Sequence, residues 1–160
     1  MAQGEFTVSS RLAAPAPEVW ARVTTADGVN YELMPLVRMT VPRGHADFSI
    51  ADITDGTTIG RSWLLLFGLI PFDYDHIHIE SIEPGRAFHE RSTMLSQRRW
   101  EHDRTVDPDG DGTCVVTDSV RFEPRLGLPP ALMRPVFHWF FRRRHAKLRK
   151  RFGQAPASPR

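Results

Sequence analysis

The sequence predicts an α+β fold in which a curved antiparallel sheet of about six or seven strands wraps round a long C-terminal helix. Strand-like alternation continues from residue 36 to residue 122, and the turns between the runs contain Gly or Pro. These turns are too short for crossover helices, which makes the sheet antiparallel. The chain then ends in a helical pattern whose first half is apolar nearly all round. We expect the sheet to enclose that half.

The first part of the chain predicts one strand and two short helices. Glu5–Leu12 alternates with a two-residue period, as a strand does. The segment APAPEVW begins a helix, because proline is tolerated in a first turn. We expect Asp27-Gly28 to end this helix and a second one to cover Val29–Met34, stopped by Pro35.

The later elements follow from the same patterns. Pro129–Phe152 predicts the final helix, with Gly153 at its end. The segment His45–Ile53 is compatible with another strand or with a loop. We expect one domain over residues 5–152 and a disordered tail over 153–160. Six strand patterns lie between the early helices and the last one, over Leu36–Val41, Ile59–Phe67, Tyr74–Ile82, Ala87–Met94, Arg98–Val106 and Cys114–Phe122.

The cysteine content and the length of the apolar runs predict the cellular location of the protein. The 160 residues include one cysteine, Cys114, which cannot form an internal disulfide, so we expect a reducing cytoplasm. The first residues lack the pattern of a signal peptide. The longest uncharged run, Ser62–Phe72, is too short for the roughly 20 apolar residues of a membrane span. We therefore expect a cytoplasmic protein without a transmembrane segment.

The net charge of +2 hides an asymmetry. Arg142–Arg151 contains seven basic residues and no acid, and the rest of the chain has 14 basic and 19 acidic residues. Cations near a helix C-terminus complement the helix dipole and aid solubility; an anionic membrane and a nucleic acid are the alternative partners. Because the apolar stripe of the helix is needed for the core, we expect neither a nucleic acid nor peripheral membrane contact.

A series of motifs follows one another along the second half of the chain. They are Pro84-Gly85-Arg86, Phe88-x-Glu90, Trp100-x-His102-x-Arg104, Thr117-Asp118 with Phe122 and Pro124, and Phe140-Phe141 with Arg144-His145. With these motifs in this order, the chain resembles the ligand-binding and polyketide cyclase/dehydrase-like proteins of the Bet v 1/START-like (SRPBCC) superfamily. The resemblance implies a helix-grip fold with a ligand cavity between sheet and helix. Ser92 and His78 depart from the pattern, which more often has Gln and an acid there.

Strand alternation sends four polar residues to the inner face of the sheet: Glu90, His102, Arg104 and Asp118. Buried charges are costly unless paired. They could form a sealed ionic network, anchor the polar end of an apolar ligand, or act as an acid/base pair of His102 and Asp118 tuned by Glu90. The catalytic candidates are therefore His102, Asp118 and Glu90.

Aromatic residues on the predicted strands and helix could line the cavity, although the same spacing is also typical of a plain core. We expect a small, largely hydrophobic ligand. The candidate ligand-binding residues are Trp63, Phe67, Tyr74, Phe88, Glu90, Trp100, His102, Arg104, Asp118, Met133, Phe137 and Phe140.

Two patterns could suggest a metal. Asp107–Asp118 matches most of a calcium-loop spacing, yet it lies between strands and has the composition of a hairpin turn. His76 and His78 share one strand face, but no third ligand follows, and the isoleucines on the opposite face indicate that the imidazoles face water. We expect no metal and no cofactor.

These patterns predict a carrier or binding module for a small hydrophobic molecule. The alternative is an enzyme similar to the polyketide aromatase/cyclases of the superfamily, in which His102, Asp118 and Glu90 move protons without a metal or redox cofactor. The sequence is compatible with both a monomer and a homodimer.

Overall fold

One seven-stranded antiparallel sheet and three helices make up the fold. A computed structural model describes residues 2–45 and 48–157. In chain order the elements are β1 Gly4–Leu12, α1 Ala16–Val23, α2 Ala26–Leu33, β2 Val37–Met39, β3 Thr57–Leu66, β4 Ile70–Glu83, β5 Ala87–Met94, β6 Gln97–Pro108, β7 Cys114–Pro124 and α3 Pro130–Phe152. Across the sheet, from one edge to the other, the strands lie in the order β1-β7-β6-β5-β4-β3-β2.

The predicted fold class is confirmed. From β2 to β7, consecutive strands pair with each other, and β1 pairs with β7, the last strand. The sheet curls round α3, which packs against β1, β7 and α2. In the described part of the chain, no helix has the length and apolar character needed to cross a membrane.

The boundary between α1 and α2 lies earlier in the chain than predicted. Thr25, not Asp27-Gly28, separates them: its side chain caps α2 by accepting a hydrogen bond from the Gly28 amide. Gly28 therefore lies in the first turn of α2, where a Cβ would come 1.8 Å from the Arg22 carbonyl oxygen. The prediction that this glycine breaks a helix was wrong, because close helix–helix contact, and not a turn, requires it.

The structure describes part of His45–Ile53 and part of the predicted tail, residues 153–160. Ala46 and Asp47, within His45–Ile53, lie outside the described residues; Ile50–Asp52 form a short 3₁₀ turn. Of the predicted tail, residues 158–160 also lie outside the described part. Its beginning is attached to β1, where the Ala155 amide donates to the Arg11 carbonyl oxygen at 3.1 Å.

The core has two apolar clusters on the concave side of the sheet. One surrounds Val19, Ile79 and Val116, and the other surrounds Trp100, Phe122 and Phe141. The imidazole of His102 packs edge-on against Phe88 of the first cluster and Phe141 of the second. A buried polar side chain thus lies at the junction of the clusters, where it needs hydrogen-bond partners.

Candidate functional site

A cavity of about 320 Å³ lies between the concave face of the sheet, α2 and α3. This volume falls at the lower end of the range of roughly 300–1,000 Å³ that ligand pockets occupy. Most of the wall is apolar. The principal apolar lining residues are Val29, Leu33, Met39, Leu64, Ile77, Phe88, Met94, Trp100, Phe137, Phe140 and Phe141.

Polar side chains gather in one line across neighbouring strands, and we call this line the polar row. It begins on β3 and ends on β7, where it meets side chains from α2 and α3. Its members are Ser62, Asp75, Ser92, Glu90, His102, Arg104 and Asp118.

Asp118 forms the fully bonded end of the polar row. Its Oδ1 accepts hydrogen bonds from His102 Nε2 at 2.8 Å and Arg104 Nε at 2.7 Å. Its Oδ2 accepts from Arg104 Nη2 at 2.7 Å and His145 Nε2 at 2.8 Å. With four donors on its two oxygens and no solvent exposure, this carboxylate has no capacity left for a ligand.

Glu32 of α2 completes the pairing of Arg104. Its two carboxylate oxygens accept from Arg104 Nη1 at 2.6 Å and Nη2 at 2.8 Å, a bidentate contact. Arg144 of α3 also donates to Glu32, at 3.0 Å from Nε. One carboxylate thus joins α2, α3 and the sheet. Arg144 belongs to the basic run Arg142–Arg151 of α3, so one cation of that run is buried and does not face solvent.

Neighbouring opposite charges determine the pKa values of the carboxyl and imidazole groups at this end of the polar row. Burial alone would raise the pKa of Asp118, but Arg104 and His102 hold it well below its ordinary value. Glu32 shows the same balance, and Arg104 and Arg144 keep its pKa lowered. Burial would lower the pKa of His102, yet Asp118 outweighs it and raises that pKa, the direction expected for an ion pair.

His145 and Ser10 extend this end toward β1. His145 Nδ1 lies 2.8 Å from the Ser10 hydroxyl, which also accepts from Arg149 Nη1 at 2.7 Å. Because the hydroxyl accepts from the guanidinium, its own hydrogen is free to point at Nδ1, and Nε2 then donates to Asp118. Every polar atom of this chain of contacts has a partner.

The opposite end of the polar row is different. Asp75 is buried, and its Oδ1 has no hydrogen-bond partner among the described residues; the same holds for the Ser62 hydroxyl. The two residues lie directly opposite each other on β3 and β4, and both line the cavity. The row therefore ends in two unsatisfied oxygens at the wall of the cavity.

Asp75 and Glu90 are buried carboxyl groups whose pKa values shift in opposite directions. Burial, followed by the nearby Glu90, raises the pKa of Asp75 well above its ordinary value. Burial would also raise the pKa of Glu90, but hydrogen bonding and charge from His102 lower it. Asp75 therefore keeps its proton to a higher pH than Glu90 does. Glu90 accepts from Ser92 Oγ at 2.7 Å and lies 3.7 Å from His102 Nδ1.

Within the polar row and its ionic partners, the charges balance when Asp75 is neutral; the buried Asp73, which also lines the cavity, lies outside this set. Three carboxylates then face two guanidinium groups and one imidazolium. The six groups are Glu32, Glu90, Asp118, Arg104, Arg144 and His102.

The structure places the predicted ligand residues in two groups. Those that line the cavity are Phe88, Glu90, Trp100, His102, Arg104, Phe137 and Phe140. Those outside its lining are Trp63, Phe67, Tyr74, Asp118 and Met133. Of the catalytic candidates, Glu90 and His102 border the cavity, whereas Asp118 lies behind them.

A β-bulge explains why Trp63 is not in the wall, whereas Phe67 lies beyond β3, in the turn that leads to β4. The register shifts between Thr58 and Gly60, so one extra residue enters β3. Gly60 has φ +124°, a backbone conformation that suits glycine. After the bulge the even-numbered residues Ser62 and Leu64 face inward. Trp63 stands instead on the outer face, 5.8 Å from the Tyr74 ring.

Sequence reasoning missed Glu32, Asp75 and Ser62. Asp75 shares the two-residue period of Ile77 and Ile79, and that period would have placed it inside. Glu32 lies beside Leu33 on the apolar side of α2, and a lone acid on such a face is a signal of a buried pair. Nothing in the local pattern distinguishes Ser62, because the bulge sets its direction.

The first half of α3 is not enclosed as predicted. Leu132, Val136 and Trp139 are 66%, 60% and 57% exposed. The sheet covers only one side of the helix, so the remaining apolar residues border the mouth of the cavity. Val136 and Trp139 line this mouth together with the half-exposed Phe72.

The suggested metal sites do not form. Asp107 pairs with Arg86, Asp109 pairs with Arg11, and Asp118 points into the polar row. His76 is exposed, as expected from the strand alternation. Among the described residues, no group of three His, Cys, Asp or Glu side chains could hold a metal ion. Burial raises the pKa of the Cys114 thiol to about 11, which makes it unreactive.

Comparison with known proteins supports the fold. A START superfamily protein from Mycobacterium smegmatis superposes with a TM-score of 0.67 at 9% identity, over 92% of this chain and 96% of that one. Protein CV1439 from Chromobacterium violaceum gives 0.72 at 13% identity, over 95% and 99%. DynU16, a protein of the dynemicin biosynthetic locus, gives 0.57 at 19% identity, over 97% of this chain and 50% of that one.

At these identities the superpositions show the fold alone: it is a helix-grip fold of the Bet v 1/START-like (SRPBCC) type, as the motif order predicted. A search of curated proteins found no match. Within this fold, the chain belongs to the family described as a domain of unknown function (DUF8410), whose model matches residues 10–152.

Proposed function

We propose that this protein is a carrier or binding module that holds a small, largely hydrophobic molecule between the sheet and α3. The observation that carries the proposal is the cavity itself. Most of its wall is apolar, and part of the polar row lies in the remainder; a few convergent polar groups in an apolar pocket are typical of ligand sites.

The mouth of the cavity favours the same function. Val136, Trp139 and Phe72 are all exposed and all belong to the lining. An apolar molecule entering there meets apolar side chains from the first contact onward. Exposed apolar surface of this kind commonly marks a binding site.

A ligand screen tests the proposal. A panel of fatty acids, steroids and aromatic polyketides should contain compounds that raise the melting temperature by about 5–10 °C at a hundredfold excess over their dissociation constants. Val29 lines the cavity, so Val29→Trp should fill it and abolish the shift. The matched control, Val115→Trp, lies outside the lining and should keep it. No shift with any compound, or a shift that survives Val29→Trp, would contradict the proposal.

An aromatase/cyclase-like enzyme is the second candidate, and one observation favours it. Glu90 and His102 border the cavity, and Asp75, whose pKa burial and Glu90 raise, lies in the same wall. A carboxylate in this wall could accept a proton from a carbon acid and return it. Asp118 does not serve in this scheme, since all its acceptor sites are occupied.

Hydrogen exchange at the α-carbon of 2-tetralone in D₂O tests this second candidate. Glu90 would accept the α-proton, leaving the enolate, and deuterium would return to the same carbon. Glu90→Gln should remove any acceleration seen by NMR, while Glu83→Gln on the surface should retain it. Equal rates with wild-type protein and Glu90→Gln would exclude a proton-transfer role for this carboxylate.

A further inference from the structure

The unsatisfied end of the polar row restricts the chemistry of the ligand. The Ser62 and Asp75 side chains are 1% and 5% exposed and line the same wall of the cavity. Within the described residues, neither the Ser62 hydroxyl nor Asp75 Oδ1 has a hydrogen-bond partner. Buried polar atoms are nearly always paired, so two neighbouring exceptions at a cavity wall point to an outside partner.

The neighbouring polar side chains are already engaged. The Ser92 hydroxyl donates to Glu90, and the Ser96 hydroxyl donates to Asp73. The Thr40 hydroxyl accepts from the Trp63 amide at 2.9 Å. These contacts leave Ser62 and Asp75 as the pair that a ligand can satisfy.

Charge excludes an anionic ligand group at this position. Arg104 and Arg144 line the cavity, but Glu32 and Asp118 take up their hydrogen bonds and balance their charge. The carboxylates of Asp73 and Glu90 also line the cavity and would repel a carboxylate or phosphate. His102 matches the charge of Glu90, and Asp73 already accepts hydrogen bonds from the Tyr74 and Leu95 amides and the Ser96 hydroxyl, so neither carboxylate is left open to a cationic amine.

The two free oxygens have complementary capacities. Asp75 Oδ1, which has no partner among the described residues, accepts a hydrogen bond when the group is ionised and also when its proton lies on Oδ2. The Ser62 hydroxyl can donate as well as accept. The simplest single neutral group that donates to the first and accepts from the second is a hydroxyl.

We infer that the bound molecule is a neutral alcohol or phenol on an apolar skeleton, whose hydroxyl donates to Asp75 Oδ1 and accepts from the Ser62 hydroxyl. This inference rests on the proposed binding function and adds a chemical class to it. The polar row thereby selects among apolar molecules of similar shape.

Three compounds with one skeleton test the selection. We expect 4-phenylphenol to bind at least about tenfold more tightly than its methyl counterpart 4-phenyltoluene, and biphenyl-4-carboxylate to bind weakest, all by isothermal titration calorimetry. Ser62→Ala and Asp75→Leu should each reduce the preference for the hydroxyl over the methyl compound. Ser119→Ala, which removes a hydroxyl outside the cavity lining, should leave it unchanged.

Asp75→Asn separates hydrogen bonding from charge. An amide keeps a donor toward Glu90 and an acceptor toward the cavity, so this variant should retain the preference for the phenol. It also gives a folded reference should Asp75→Leu be unstable.

The titration results distinguish failure of the inference from failure of the proposed function. If 4-phenyltoluene binds as tightly as the phenol, or the carboxylate binds tightest, the inference is overturned while the proposed function stands. A preference that survives both Ser62→Ala and Asp75→Leu also overturns it. If none of the three compounds binds wild-type protein, the proposed function fails together with the inference.

Discussion

The two ends of the polar row contain the same residue types in opposite states. At the inner end, Asp118 accepts four hydrogen bonds, and Ser10 has both His145 and Arg149 as partners. At the cavity end, Asp75 has a free oxygen, and Ser62 has a free hydroxyl. Both ends are buried, so the difference lies in pairing and not in exposure to water.

This contrast separates structure from function. A saturated ionic cluster holds α2, α3 and the sheet together, and it has no acceptor left for a ligand. An unsatisfied pair at a cavity wall contributes less to folding and leaves hydrogen bonds available. Identical substitutions at the two ends should therefore have different effects, which makes the contrast measurable.

The largest effect should come from Asp118→Asn. Without the carboxylate, the buried charges of Arg104 and His102 lose their shared partner, and the free energy of unfolding should fall by about 3–5 kcal/mol. Urea unfolding measures this loss. Arg86→Ala, which removes an exposed arginine with two carboxylate partners, should have little effect. A loss at Asp118 no larger than at Arg86 would show that the cluster does not hold the fold.

Serine-to-alanine substitutions compare the ends directly. Ser10→Ala removes the hydroxyl that contacts His145 Nδ1 and Arg149 Nη1 and should cost about 1–3 kcal/mol. Ser62→Ala removes a hydroxyl that has no partner, so stability should change by less than about 0.5 kcal/mol. Thermal and urea unfolding of both variants provide the comparison. Equal losses would mean that the Ser62 hydroxyl is bonded in solution.

Asp75→Asn should act in the opposite direction to Asp118→Asn. The folded pKa of Asp75 is raised, so the folded state binds a proton more tightly, and stability falls as pH rises from about 3.9 through the folded pKa. Asparagine does not titrate, and above that window it should stabilise the protein by about 0.5–2 kcal/mol. Unfolding from pH 4 to pH 9 gives the two profiles. A destabilised asparagine variant at pH 8 would rule out a protonated Asp75.

The pH dependence of His102 should be smaller, because burial opposes the ion pair. Its folded pKa is raised, so its contribution to stability is complete below the unfolded pKa of about 6.5 and is lost as pH rises through the folded pKa. His102→Ala should abolish this dependence. NMR titration should show the imidazole pKa falling in Asp118→Asn; a depressed wild-type pKa, unchanged in that variant, would disprove the pair.

Much of the inner end could be predicted from the sequence. The two-residue period of β5, β6 and β7 sends Glu90, His102 and Asp118 to one face, and regular ladders without a bulge in this region preserve that direction. What alternation could not provide was Glu32. It meets Arg104 across 72 residues of sequence, and only the packing of α2 against the sheet brings them together.

The cavity end was predicted less well, because a bulge changes the period. Trp63 follows the inner period of β3 up to Ile59, but the extra residue at the bulge turns Ser62 and Leu64 inward instead; Phe67 lies in the turn after β3. A single-residue shift moves every later side chain to the other face. Bulges depend on how two strands align, so the pattern of one strand does not predict them.

The sequence by itself determined the order of strands and helices, the antiparallel sheet and the burial of the polar residues on β5 to β7, since these follow from periodicity and turn chemistry within a few residues. Only the tertiary structure decided which buried polar atoms are paired, which side of α3 stays exposed, and that Ser62 and Asp75 face a cavity. Pairing and enclosure depend on contacts between distant elements, and local periodicity carries no information about the partner on the other side of a contact.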